Sequence, residues 1–129
     1  MNIQEEFIVK KPSEGIKKKL ILRIGTSHMA VNFCDIVAFY FESKIVFAII
    51  NDGCKYIAEQ NLLQLQEILN PNVFFRVNRK CIINGNYIKS FKTVNKVRLM
   101  IEMNNLSKDY SVLVSQKRAS SFKQWVYNL

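Results

Sequence analysis

Residues 74–88 read FFRVNRKCIINGNYI, and the placing of apolar and charged residues within them decides the fold. Phe75 and Val77 alternate with polar neighbours as a half-buried strand does, and Cys81-Ile82-Ile83 resumes an apolar strand. Between the two, Asn78-Arg79-Lys80, with Arg76 just before, interrupt the pattern where a core strand least tolerates charge. Three polar residues between two strands predict a solvated corner. Asn84-Gly85 then predicts a two-residue type I′ hairpin turn, which needs positive φ at both positions.

Outward from this stretch the chain keeps a β-rich pattern. Leu20, Leu22 and Ile24 alternate with Lys19 and Arg23, with Ile21 breaking strict polarity. Met29–Phe33, Ile36–Phe41, Ile45–Ile50 and Cys54–Ala58 are rich in Val, Ile, Phe and Tyr. Glu42-Ser43-Lys44 is short enough for a hairpin loop, and Asn51-Asp52-Gly53 is a second hairpin signal. Downstream, Tyr87–Phe91, Val97–Met103 and Tyr110–Val114 are strand-like.

Helix signals occur twice. Asn61 can cap a helix that carries Leu62, Leu65 and Leu69, ended by Asn70-Pro71 because a residue before proline avoids the helical region. Ser115 is the expected N-cap of a C-terminal helix with Phe122, Trp125 or Val126, and Leu129 at helical spacing. The expected fold is therefore mainly β: about ten short strands in small sheets, one short internal helix and a C-terminal helix. It occupies 16–129, after a linker or tail over 1–15 with a possible first strand at Phe7-Ile8-Val9 and a turn at KKPSEG, residues 10–15.

Composition narrows the partners. The chain has 19 basic and 10 acidic residues, a formal net charge of +9. Arg76, Arg79, Lys80, Lys89, Lys92, Lys96 and Arg98 stand between Glu67 and Glu102 with no acid among them. Lys117, Arg118 and Lys123 follow Asp109, again without an acid. A one-sided field suits a polyanion, nucleic acid before anionic membrane; a basic solvated face without a partner is the plainer reading. Lys117-Arg118 at the start of the C-terminal helix oppose its dipole, worth roughly 0.3–1 kcal/mol each, and with free N–H groups would suit a phosphate. Arg and Asn, as at the 78–80 corner, are also side chains that read guanine and adenine edges in the major groove.

Chemistry and membrane insertion find little support. One histidine, His28, has no Cys, Asp or Glu at triad or ligand spacing and is expected in a turn. The four glycines make no phosphate-binding or dinucleotide loop. No enzyme activity, metal or cofactor is expected. Three widely spaced cysteines, Cys34, Cys54 and Cys81, suit reduced, buried thiols of a cytoplasmic protein. MNIQEEF opens with acids and gives no secretion signal. Apolar runs such as IVFAII at 45–50 fall well below the roughly 18 residues of a membrane span.

The run DGCKYIAEQNLLQLQEILNPNVFFRVNRKCIIN at 52–84, followed by VLVSQKRASSFKQWV at 112–126, resembles the LytTR DNA-binding domain of bacterial response regulators. The elements that carry the likeness are Asp52-Gly53, a short leucine helix, and Phe74-Phe75 followed by Arg76-Val77, Arg79, Ile82-Ile83 and Asn84. Val114-Ser115 before basic residues completes it, and upstream Asp35-Ile36 with Phe39-Tyr40-Phe41 also fits. The match runs over about residues 16–126.

The resemblance implies DNA read by loops in successive major grooves, without a recognition helix. The first loop corresponds to Glu42–Lys44, with Lys44 as the contact; the second to Asn78, Arg79 and Lys80, with Arg79 as the central base reader. The third corresponds to Ser115, Gln116, Lys117 and Arg118, where Lys117 takes the place of a contacting basic residue. The family usually has His at the place of Asn78, Ser at that of Lys80 and often Arg at that of Gln116, so its target sequence is not carried over. It further implies double-stranded DNA with direct repeats, a homodimer on DNA, and a receiver domain upstream unless the chain is a stand-alone member. The rival from another class is a basic β-domain that binds a protein partner or an anionic membrane surface. Single-strand binding through exposed aromatics fits less well, because the strand pattern uses its Phe residues as core.

Overall fold

The computed structural model describes residues 18–129; the strand expected at 7–9 and the turn at 10–15 lie outside the described residues. β-branched and aromatic runs form strands where the sequence predicts them. β1 (Lys19–Ile24), β2 (Ser27–Asn32), β3 (Ile36–Glu42), β4 (Ile45–Ile50), β5 (Lys55–Ala58), β6 (Phe74–Asn78) and β7 (Cys81–Asn84) build one sheet. Its order is β2-β1-β5-β4-β3-β7-β6, and every pair in it is antiparallel. A second, three-stranded sheet has β8 (Ile88–Val94), β9 (Arg98–Met103) and β10 (Val112–Val114) in the order β10-β9-β8. Two α-helices, α1 (Leu62–Ile68) and α2 (Ala119–Tyr127), accompany the sheets among the described residues, and the fold is mainly β.

The larger sheet is buried on both sides at its centre. One face meets α1: Leu22, Phe39, Val46, Ala48 and Ile82 pack with Leu62, Leu65 and Leu69. The other meets the small sheet and α2, where Val37, Val77 and Ile83 pack with Leu99, Ile101, Val112, Val114 and Phe122. This is why Ile36-Val37-Ala38-Phe39 and Cys81-Ile82-Ile83 are unbroken apolar runs. Both faces of β3 and β7 need apolar side chains. Toward β1 the cover thins, and Ile21 and Ile24 are exposed. That explains why the expected alternation of β1 fades at its end.

Local chemistry fixes the connections. Asn61 accepts from Gln64 N at 2.8 Å while Gln64 Oε1 accepts from Asn61 N at 2.9 Å, a reciprocal cap on α1. The β3–β4 link turns on Ser43 (φ 54) and Lys44 (φ 66), and the β8–β9 link on Asn95 (φ 51) and Lys96 (φ 69). Both are tight hairpin turns with positive φ and no glycine.

Two expectations are corrected. Asn84-Gly85 is not a hairpin turn: β7 pairs with β3 and β6, and β8 with β9. Asn84 is extended (φ −92, ψ 120), and Gly85–Tyr87 form a 3-10 turn that carries the chain from one sheet to the other. Glycine is needed at 85 for space instead, since a Cβ there would lie 2.7 Å from Trp125 Cη2. His28 lies in β2, not in a turn, with Nε2 3.7 Å from Glu59 Oε2.

The crossing rests on Asn84, which is fully buried. Its Nδ2 donates to Ile36 O at 2.9 Å and its Oδ1 accepts from Asn86 N at 2.9 Å. Asn84→Ala removes both bonds without giving the stranded groups access to water. The expected cost is about 2 kcal/mol, read as a lower urea midpoint at unchanged slope.

Candidate nucleic-acid interface

Three short connections meet at one end of the central strands. The β6–β7 corner has a register shift between Arg76 and Asn78, so Arg79 and Lys80 stand out from the ladder. Its backbone is held from several sides. Lys80 O accepts from Phe41 N at 2.8 Å, which ties the corner to β3. Asn78 Oδ1 accepts from Lys80 N at 2.8 Å, and Asn78 Nδ2 donates to Leu113 O at 2.7 Å, which ties it to β10. Arg76 donates through Nε to Asn78 O at 3.2 Å and through Nη2 to Arg79 O at 2.7 Å. Its Nη1 donates to Gln66 Oε1 of α1 at 2.9 Å.

The third connection is attached to the second. Ser115 N donates to Val77 O at 2.9 Å, next to the Asn78–Leu113 bond. The expected helix start is corrected here. Gln116–Arg118 form a 3-10 turn, closed by Arg118 N donating to Ser115 O at 2.9 Å, and α2 begins only at Ala119. Ser115 makes no side-chain cap bond, because its backbone is drawn to β6. Lys117 and Arg118 therefore precede the first turn of α2 instead of lying within it.

Between these connections and the β3–β4 turn runs an open groove of about 940 Å³. Five cationic side chains line it (Arg79, Lys80, Arg98, Lys117 and Arg118) against two carboxylates, Glu42 and Asp109. Glu42 lies 3.6 Å from Lys55 Nζ, which reduces its claim on the groove. Among the described residues none of the five cations forms an ion pair. The groove thus brings together Asn78, Arg79, Lys80, Ser115, Lys117 and Arg118 of the residues predicted from sequence. Lys44 and Gln116 lie outside its lining, each beside a residue that belongs to it. Arg98 escaped the sequence reading as a groove residue. Nothing in its spacing tells that β9 opens at the 78–80 corner.

Arg76 differs from the other cations of the corner. Burial, and then the nearby charge of Arg118, lower its pKa from the ordinary arginine value, although a guanidinium stays charged. The floor of the groove is apolar. Tyr40 stacks on Tyr110 with centroids 4.8 Å apart. Its buried Oη has no hydrogen-bond partner among the described residues, and burial, then the neighbouring Cys81 thiol, raise its pKa. Among the described residues, no group of His, Cys, Asp and Glu could hold a metal, and no helix is long and apolar enough to cross a membrane.

A family model described as the LytTr DNA-binding domain matches residues 26–127. The chain belongs to this LytTR family. The LytTR domain is a DNA-binding domain. The fold agrees. The LytTr DNA-binding domain of a methyl-accepting/DNA response regulator from Bacillus cereus superposes with a TM-score of 0.77 at 22% identity, over 85% of this chain and 97% of that one. No curated protein matches the chain.

The expectation of three buried thiols is corrected in this LytTR domain: only Cys81, within β7, is buried, because Cys34 and Cys54 lie on connections between strands. Cys81 is buried and its pKa is pushed up to about 12, against a small lowering by the Tyr40 hydroxyl, while Cys34 and Cys54 are exposed. At pH 8 the native protein is expected to alkylate rapidly at Cys34 and Cys54 and not at Cys81, as peptide mass spectrometry would show. The folded thiol holds its proton above the unfolded value of about 8.5. Its contribution to stability is therefore complete below that pH and declines as pH rises toward 12. A Cys81→Ala variant lacks this part of the alkaline loss.

Proposed function

We propose that this LytTR domain binds double-stranded DNA in a sequence-specific manner, as a transcriptional regulator in the bacterial cytoplasm. The observation that carries the reading is the groove: five cations without ion-pair partners among the described residues, four of them on connections tied to neighbouring strands and the fifth, Arg98, at the start of β9. Arg79, exposed on the bulged corner, is the central base reader; Lys80 and Lys117 stand beside it, and Lys44 belongs to the adjoining hairpin tip. Ser115, Gln116 and Arg118 contact the next stretch of backbone or base edge. Asn78 serves mainly by shape, since its amide already bonds Leu113 O and Lys80 N. Three loops rather than a helix then enter successive major grooves, with phosphate contacts setting position and base contacts setting sequence.

Two copies on direct repeats form the working assembly. The domain, taken as 16–129, acts either behind a receiver in a response regulator or as a stand-alone member. The Bacillus cereus domain, which belongs to a response regulator, supports the former by likeness of fold.

Selection of bound duplexes from a random pool tests the reading, with enrichment of direct repeats expected. Arg79→Ala is expected to reduce operator affinity by roughly 5- to 150-fold, the value of one good bidentate base contact, with the thermal midpoint nearly unchanged. Wild-type affinity should fall with salt at a logarithmic slope of about 0.9 per neutralised phosphate. A flat salt response, together with strong binding to anionic liposomes, would instead support a membrane-surface role.

A further inference from the structure

Sequence counts Arg76 as one more cation of the basic stretch, but its half-buried side chain is turned back onto the protein. Three of its donors are bound to protein: Nε to Asn78 O at 3.2 Å, Nη2 to Arg79 O at 2.7 Å and Nη1 to Gln66 Oε1 at 2.9 Å. It does not line the groove that Arg79, Lys80 and Arg118 line. We propose that Arg76 is a positioning residue for DNA recognition, a planar fork that holds the Asn78 and Arg79 carbonyls from behind and is itself braced by Gln66 of α1. The proposal rests on the DNA reading above and deepens it.

Bracing from behind changes where the ordering cost falls. Arg79 and Lys80 are the only two residues between β6 and β7, and fixing one backbone residue costs roughly 1–2 kcal/mol of entropy. Fixing the Arg79 carbonyl fixes the peptide plane between Arg79 and Lys80, and so the directions from which both side chains leave the backbone. That cost is then met during folding, not on binding DNA, and affinity gains by preorganisation. A guanidinium suits this task because its donors lie in one plane at fixed angles, whereas an ammonium is a point charge on a flexible stem. Gln66 sets the third corner of the fork, so α1, which supplies no residue to the groove lining, contributes to the geometry of the reading loop.

Arg76→Lys separates this role from a simple phosphate contact, because it keeps the charge and removes the fork. Discrimination between the selected operator and a scrambled duplex is expected to fall about tenfold. Non-specific affinity, salt slope and thermal midpoint should remain near wild type. Gln66→Ala should shift discrimination in the same direction by a smaller factor. In the free protein, amide order parameters at Arg79 and Lys80 should fall from strand-like values toward about 0.6 in Arg76→Lys. Undiminished discrimination in Arg76→Lys would overturn the proposal. So would Arg76→Met lowering the salt slope by about one contact with discrimination preserved, since Arg76 would then be a phosphate ligand. The order parameters need no DNA. A wild-type protein that fails to discriminate duplexes therefore removes the DNA reading, while order parameters unchanged in Arg76→Lys remove the positioning role.

Discussion

A buried amide between two sheets is the constraint on which the remaining structure depends. Asn84 is the one buried polar side chain among the described residues, and a buried amide is tolerated only where its hydrogen bonds are made. Its two bonds fasten the end of β7 to the start of β3 and to the 3-10 turn that leads into the small sheet. Gly85 N donates to Val73 O at 2.7 Å, which closes the start of β6 on the same point. Sheet one, sheet two and the entry to the corner strand are thus registered together. An apolar residue at 84 would leave the crossing to packing and the Gly85–Val73 bond, and packing specifies direction less sharply than paired hydrogen bonds.

From that fixed end, β6 and β7 run outward to the corner, and the far end inherits the register. The charged connections need no core of their own. They are held by the Phe41–Lys80, Ser115–Val77 and Asn78–Leu113 bonds to strands whose apolar faces are already buried. Phe122 of α2 meets Phe75 and Phe91 at centroid distances of 5.6 and 5.4 Å. The aromatic contacts secure the helix that follows the third connection. A rigid double-sided sheet therefore supports an interface composed of loops only a few residues long.

Much of this was legible in the sequence because the governing signals are local or periodic. β-propensity marked the strands, Asn61 and Asn70-Pro71 bounded α1, and the interruption at 78–80 marked the corner. Errors arose where a residue answers to a distant neighbour. Gly85 has the composition of a turn but is required by the Trp125 ring. Ser115 has the composition of a helix cap, but its backbone is claimed by Val77. Arg76 and Arg79 are the same residue type three positions apart. Composition counts both as cations of one basic stretch; the folded corner turns Arg76 onto the protein in three hydrogen bonds and leaves Arg79 exposed. Arg98 reaches the groove only because the small sheet docks there. No pattern in the chain announces that docking.

The hairpin tips carry a further consequence. Lys44 and Lys96 occupy the left-handed region at φ 66 and 69, where an L-residue is roughly 1–2 kcal/mol less favourable than in its ordinary conformations. Asn-Gly is the relaxed choice for such turns. A variant of this domain selected only for heat resistance would drift toward glycine at both positions and would lose two positive charges in doing so. At these tips thermal robustness and electrostatic reach are opposing selective pressures, and the present sequence records which of them prevailed.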